Sequence, residues 1–472
     1  MSKTRSGISR FVRSPSFKLF LIGGIVLLLF IPLLMTWALV SEREGRALRV
    51  QREVARAWGT AQSMHGPFLL VPFTQHIVSR RGGQEIEQEV ERLAVFLPDK
   101  LKISGSMKSR ELRRSIYRVA VYTADLDISG TFATADVEKL ADNVVRVHWE
   151  KAVLALALAN VSGLKEVTLK LNDGNASGFS PSLGVEGVAG NGIHAPIGTQ
   201  ARQGFAYAIK LQFSGSHRLI LAPAGRDTQA ILRADWPHPG FIGNFLPEQR
   251  EVRQDGFSAR WRIPHLARSV PQAWVMNASV QQAGSVIMPE PGLARPVVLP
   301  AGKTPLDRFG PNIFGVRFVV PVNHYDLVNR ALKYALMFLT TVFAAIFVME
   351  QLSGTQVHAV QYLFVGLMLV LFYVLLLALA EHIGFTAAYA VAAMATGGTL
   401  ALYVGRLLHS ARQGVALLLV FAVLYGLLYT ILQMEDYALL TGALLAFAGL
   451  TAVMFLTLKV DWAGHRQEHE DI

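Results

Sequence analysis

The sequence has no cysteine among its 472 residues. Disulfide scaffolds, cysteine-ligated metal centres and thiol nucleophiles are excluded together. Charge is scarce as well. Asp, Glu, Lys and Arg make up 17% of the chain and hydrophobic residues 52%, whereas soluble globular chains carry about 25% charged residues. The mean hydropathy is +0.35, so a large part of the chain does not face water. So apolar a chain is not disordered, and without a glycine period it is not collagen-like. Among catalytic signatures, H-E-x-x-H, G-x-S-x-G and G-x-G-x-x-G are all missing.

Long apolar runs are what the sequence has instead. Residues 19–40, 334–349, 359–380, 383–404, 414–434 and 437–458 carry no Asp, Glu, Lys or Arg, and most have the roughly 20 residues that a bilayer core requires. The run 334–349 is shorter, but Lys333 and Glu350 at its ends can reach opposite headgroup levels, so it too reads as a span. Lys3, Arg5, Arg10, Arg13 and Lys18 precede the first run without an acid, which places the basic tail 1–18 in the cytoplasm. That run is too long for a signal-peptide core and is read as a retained anchor. Six spans return the tail 459–472 to the cytoplasm. Arg406 and Arg412 then fall inside, and Glu381-His382 and Glu435-Asp436 outside.

Residues 41–332 are thereby expected in the periplasm, between the first and second spans. Residues 1–40 hold five basic residues and no acid, and residues 333–472 hold five basic against eight acidic. That leaves +9 of the chain's +11 for the segment. Its charge suits an anionic lipid surface or a plain solvated face, while nucleic acid on the exported side is not an expected partner. A helical stalk is predicted over 41–65, ended by Gly66-Pro67. Beyond it, short β-branched or alternating runs at 68–73, 93–97, 101–106, 117–128, 144–149, 167–171, 206–213 and 258–263 predict strands. Residues 211–221 look like a hairpin turning at Gly215, and 172–192 like a glycine-rich loop. The expected fold class is an α+β membrane protein, with six transmembrane helices and a large β-rich, sandwich-like periplasmic domain inserted between helices 1 and 2. The five later spans form its membrane module, 333–458.

No motif builds a catalytic constellation. Ser162-Gly163-Leu164-Lys165 matches S-x-x-K, but its companion elements S-D-N and K-T-G are missing. Gly302-Lys303-Thr304 resembles the end of a P-loop, yet Val297 stands where the first glycine belongs. No cofactor and no metal are predicted. The most unusual stretch is Asp235-Trp236-Pro237-His238-Pro239-Gly240-Phe241-Ile242-Gly243-Asn244-Phe245-Leu246-Pro247. Its prolines hold Trp236 and His238 extended. The candidate recognition residues are Asp235, Trp236, Pro237, His238, Pro239, Phe241 and Phe245, and Asp235 with His238 could share a proton or a metal. The plain alternative is a structural loop with its aromatics tucked into the sandwich. In the membrane runs, Ala388, Ala392, Ala393, Gly397, Gly442 and Ala446 lie at spacings that suit close helix packing, within the chain or between two copies.

The chain resembles the CreD family, inner-membrane proteins of Gram-negative bacteria linked to cell-envelope integrity. The resemblance runs along most of the chain. It is carried by the block from Asp235 to Pro247, by Gly256-Phe257-Ser258-Ala259-Arg260-Trp261, by Pro321-Val322-Asn323-His324-Tyr325, by Gln361-Tyr362-Leu363-Phe364-Val365-Gly366 and by Glu381-His382-Ile383-Gly384-Phe385. It implies a target of a two-component regulatory system, tied to envelope stress, colicin tolerance and β-lactam response. It supplies no catalytic position. The expected function is therefore a non-catalytic envelope-integrity protein that binds an envelope lipid, a glycan or a membrane-protein partner. The alternatives are a transporter or lipid-handling protein, and a periplasmic hydrolase using His238 or Ser162.

Overall fold

The computed structural model describes residues 15–81, 84–172, 174, 176–185, 188, 190–277, 308–319, 324–353, 355–434 and 438–456. The tails 1–14 and 457–472, residues 302–304 and 321–323, and Glu435 and Asp436 lie outside the described residues. The chain divides into two compact units, one of Met1–Leu48 with Val322–Ile472 and one of Arg49–Pro321.

The first helix, α1, runs without a break from Pro15–Trp58. The stalk expected over 41–65 is therefore the continuation of the first span, and it stops at Trp58. Gly59, at φ 142, ends it in a backbone conformation that only glycine adopts easily. Gly66-Pro67 does not break a helix. It lies inside a strand, at a shift of register between His65 and Phe68.

The β-rich unit holds strands β1 (Gln62–Arg81), β2 (Gln84–Phe96), β3 (Lys100–Arg114), β4 (Tyr117–Phe132), β5 (Val144–Val147), β6 (Val153–Leu158), β7 (Leu164–Leu171), β8 (Ala176–Ser177) and β9 (Ser180–Pro181). After these come β10 (Gly192–Pro196), β11 (Phe205–Ser216), β12 (Arg218–Leu221), β13 (Asp227–Ala234), β14 (Pro239–Gly243), β15 (Gln249–Arg253), β16 (Gly256–Pro264), β17 (Ala273–Asn277) and β18 (Phe314–Phe318). One sheet has the order β14-β18-β12-β1-β6-β10-β9, with β2 and β5 also paired to β1 and β17 paired to β2; the other is β15-β16-β13-β3-β4-β11-β7-β8. The sheets pack face to face. Tyr122 of β4 stacks on Phe318 of β18 at 4.8 Å, and Trp261 of β16 meets Phe314 of β18 at 5.4 Å. In β3, Leu101, Ile103, Gly105 and Met107 point into the core and Lys100, Lys102, Ser104 and Ser106 to solvent, the period-2 pattern of a half-buried strand.

The pairing is mostly antiparallel, with two parallel exceptions, β1 with β12 and β13 with β3. The hairpin expected at Gly215 does not form. β11 pairs with β4 and β7 in one sheet, whereas β12 pairs with β1 and β18 in the other. Gly215 is small for a packing reason, since a Cβ there would sit 2.4 Å from the Tyr122 ring. The chain changes sheet at His217, at φ 61.

His65 lies in this core, edge-on to Phe309 at 6.0 Å, and its Nδ1 is buried without a hydrogen-bond partner. Burial lowers its pKa from 6.5 to about 4. The folded unit thus holds a neutral imidazole that the unfolded chain protonates near 6.5. Stability is full above that pH and declines as pH falls from about 6.5 to about 4, by up to about 3 kcal/mol. His217 shifts in the same direction, through burial and then through Arg218. Thermal unfolding of the full chain between pH 7.5 and 4 is expected to show this decline (~2 kcal/mol or more), and His65→Gln is expected to flatten much of it.

In the other unit, α2 (His324–Lys333) and α3 (Ala335–Ser353) are followed by α4 (Ala359–Ile383), α5 (Phe385–Leu407), α6 (Ala411–Gln433) and α7 (Ala438–Leu456). Among the described residues, α1, α4, α5 and α6 are each long and apolar enough to cross a membrane. The pair α2–α3, bent by 49°, makes a fifth candidate. The six expected runs thus correspond to four or five such helices, and α7 covers the last run with only part of its side chains described. Glu350 closes the apolar run 334–349, three residues before α3 ends at Ser353. It sits within α3, 3% exposed, and its carboxylate accepts hydrogen bonds from Lys18 Nζ, from Tyr362 Oη at 2.9 Å and from the Val357 backbone N–H at 2.9 Å.

Candidate recognition groove

The segment 235–247 is not a free loop. Asp235, just past β13, accepts hydrogen bonds from the Ser109 backbone N–H and hydroxyl of β3, both at 2.6 Å. Both bonds end on Oδ1, and they tie Asp235 to β3. Trp236 is buried, donates from Nε1 to the Val319 carbonyl at 3.0 Å and meets Phe318 edge-on at 6.1 Å. The chain then forms β14, the edge strand of its sheet, in register with β18 from Pro239–Phe318 to Gly243–Phe314. Pro239 is tolerated at the start of β14 because an edge strand has a side that needs no donor. Gly243, at φ 96, ends β14 where a Cβ would lie 2.1 Å from the Ile313 carbonyl oxygen.

Phe241 packs on Trp261 and Phe257, with ring centroids 6.0 Å apart in each pair, and Trp261 Nε1 donates to the Phe245 carbonyl at 3.1 Å. The chain next enters β15, the edge strand of the second sheet, every residue of which is exposed. The edges of both sheets therefore meet along this segment. Between them lies an open groove of about 490 Å³ whose apolar wall is made by Pro237, Pro239, Phe241, Leu246, Val252 and Val319. Two basic side chains line it, His238 and Arg250, and the Arg250 guanidinium stands 6.0 Å from the Phe241 ring centre. The groove can take an apolar group and offer the Arg250 guanidinium to an adjacent anion.

The structure thus divides the predicted residues. Pro237, His238, Pro239 and Phe241 line the groove. Asp235, Trp236 and Phe245 hold its frame. Ser162 sits in an exposed turn, its backbone N–H bonded to Asn160, and Lys165 lies over Trp58 at 5.8 Å. Among the described residues no three His, Asp or Glu side chains gather as metal ligands would.

In the membrane unit, Ala388 and Ala392 are fully buried, and Gly397 faces Phe421 and Tyr425 of α6 at the 3.4 Å that a Cβ would meet. Ala393 is half-buried. Gly442 of α7 faces Tyr334, and the Ala446 side chain lies outside those described. Three hydroxyls form a link between α5 and α6: Tyr389 donates to the Tyr425 carbonyl at 2.7 Å, and Tyr425 and Thr396 share a hydrogen bond of 2.9 Å.

The family described as "Inner membrane protein CreD" matches residues 14–463. The chain belongs to the CreD family. Among its relatives is the Inner membrane protein CreD of Escherichia coli K12, 30% identical over 455 residues, which are 96% of this chain and 94% of that one. The CreD description names a membrane location and no reaction. Among solved structures, an M1 zinc metallopeptidase of Deinococcus radiodurans is 10% identical and covers 78% of this chain and 94% of its own, with a TM-score of 0.20. So low a score gives no common fold. For this CreD-family chain, sequence reasoning missed Ser109, Leu246, Arg250, Val252 and Val319 at the groove. β15, Gln249-Arg250-Glu251-Val252-Arg253, holds one apolar residue and is exposed throughout, so no alternation signals it in the sequence.

Proposed function

We propose that this protein is a non-catalytic binding protein of the inner membrane that contributes to cell-envelope integrity and stress response. It crosses the membrane six times with both termini in the cytoplasm, and its β-rich unit meets an envelope partner in the periplasm. The observation that carries the reading is the groove at the joined sheet edges. It has an apolar wall, the Arg250 guanidinium and the His238 imidazole on its lining, and a frame of buried tryptophans, the make-up of a surface that holds a ligand. The basic tail before α1, together with Arg406 and Arg412 at the short connection between α5 and α6, supports the orientation.

The test uses exposed groove residues, so that folding is spared. Leu246 and Val252 are 68% and 48% exposed. In cells lacking the native protein, the double variant Leu246→Asp/Val252→Asp is expected to reach wild-type membrane levels and the wild-type unfolding temperature. Its envelope permeability is expected to stay at the level of the deletion. Full restoration of the barrier by this variant would rule the groove out.

A further inference from the structure

A second groove lies wholly within the membrane unit, between α1 and α4, and is independent of the one beside His238. The two helices touch where Gly366 admits Leu29: a Cβ at Gly366 would lie 2.0 Å from Leu29 Cδ1 and 3.0 Å from the Phe343 ring. They are tied again where the Arg43 guanidinium reaches Glu381 at 3.6 Å. Between these two points they leave an open slot of about 970 Å³. Met35 and Leu39 line one side, and Phe364, Leu367 and Leu371 the other. Pro32 lacks the N–H that would bond the preceding turn, and the Thr36 hydroxyl donates to the Pro32 carbonyl at 2.8 Å, so the one hydroxyl of this wall is spent inside its own helix.

The slot is apolar along its length and charged at one end. From Leu29 to Glu42 the helix rises about 20 Å, more than half of a hydrocarbon core of about 30 Å. Glu42 lines the far end and is bridged by Arg46 at 2.8 Å, with both side chains about half exposed. A carboxylate beside a guanidinium complements an ammonium beside a phosphate. From this we infer that the slot binds a single phospholipid bearing a primary-amine headgroup. One acyl chain lies between α1 and α4, the ammonium sits on Glu42 and the phosphate on Arg46.

The absence of cysteine makes the test clean. The full chain is reconstituted in vesicles of phosphatidylethanolamine and phosphatidylglycerol containing a trace of either lipid with a photoreactive acyl chain, and the adducts are mapped by peptide. With the phosphatidylethanolamine probe, adducts are expected to concentrate on 35–39 and 364–371 and to be sparse at Leu402 and Leu419, which are 67% and 63% exposed. The phosphatidylglycerol probe is expected to label the slot about threefold less, a difference that Glu42→Gln removes. Leu367→Trp, or Leu371→Trp should the first fail to fold, is expected to cut slot labelling about fivefold. Equal labelling of the slot and of Leu402 and Leu419 would reduce the slot to ordinary lipid contact and overturn the inference. Equal labelling by the two probes would overturn the headgroup assignment. Disulfide-linked dimers of Leu367→Cys, with slot labelling weak, would show a second copy of the chain as the occupant.

Discussion

Trp261→Ala is expected to destabilise the β-rich unit by about 3–5 kcal/mol. Trp261 is 1% exposed and packs against Phe314 of the opposite sheet and Phe241 of the groove wall. Removing the indole opens a cavity between the sheets and takes away the donor on the Phe245 carbonyl, so the loss combines missing contacts with an unpaired acceptor. The unfolding temperature of the unit is expected to fall by roughly 10 °C, and ligand capture at the groove to fall with it. Trp261→Phe, which keeps most of the buried area, is expected to lose less than half as much. Thermal denaturation of the full chain in detergent measures both variants. A loss below about 1 kcal/mol for Trp261→Ala would mean that the two sheets do not share this core.

The second large effect is expected in the membrane unit, at Glu350. Its carboxylate receives a lysine, a tyrosine hydroxyl and a backbone N–H, all within α1, α3, α4 and the loop between the last two. Glu350→Leu leaves the Lys18 ammonium without its counter-charge and two donors without an acceptor. The cost expected for breaking such a pair from one side is about 3–5 kcal/mol, towards the lower figure because the Lys18 side chain is 21% exposed and can reach water. The double variant Lys18→Met/Glu350→Leu is expected to recover part of that loss, since an apolar pair of similar volume carries no desolvation penalty. The loss of helical signal on titration with a denaturing detergent reports each variant. Equal stability of Glu350→Leu and the double variant would show that the ion pair does not join α1 to α3.

How much of this was legible in the sequence differs from one part to the next. The apolar runs marked the membrane helices because length and lack of charge are one-dimensional properties. β3 was legible because one face of it meets water, so Leu101, Ile103 and Met107 alternate with polar neighbours. β6 was not, because Val153-Leu154-Ala155-Leu156-Ala157-Leu158 is buried along its whole length. A fully buried strand loses its alternation, and its alanines and leucines favour helix. That Glu350 pairs with Lys18 was not legible, because no local pattern links residues more than 300 positions apart.

The groove was half legible. The prolines and aromatics drew notice to 235–247, and the segment lies at the groove. Its conformation was misread, since Pro and Gly signal a loop and the structure makes an edge strand of them. The reason is β18. It supplies the hydrogen bonds for β14, and Val319 takes up Trp236 from 83 positions away. No local pattern contains that pairing. Nor does one show that β15 lies opposite, so Arg250 and Val252 went unmarked.

The central claim, that this groove holds a partner of the cell envelope, is tested most directly by crosslinking in living cells from a photoreactive residue placed at position 238 of the full chain. One discrete adduct is predicted, to a single protein, lipid or glycan, lost when Leu246→Asp/Val252→Asp is added. Exposed Val145 on the same unit serves as the control position. The account is contradicted if position 238 yields no adduct, or only the scattered products that position 145 gives.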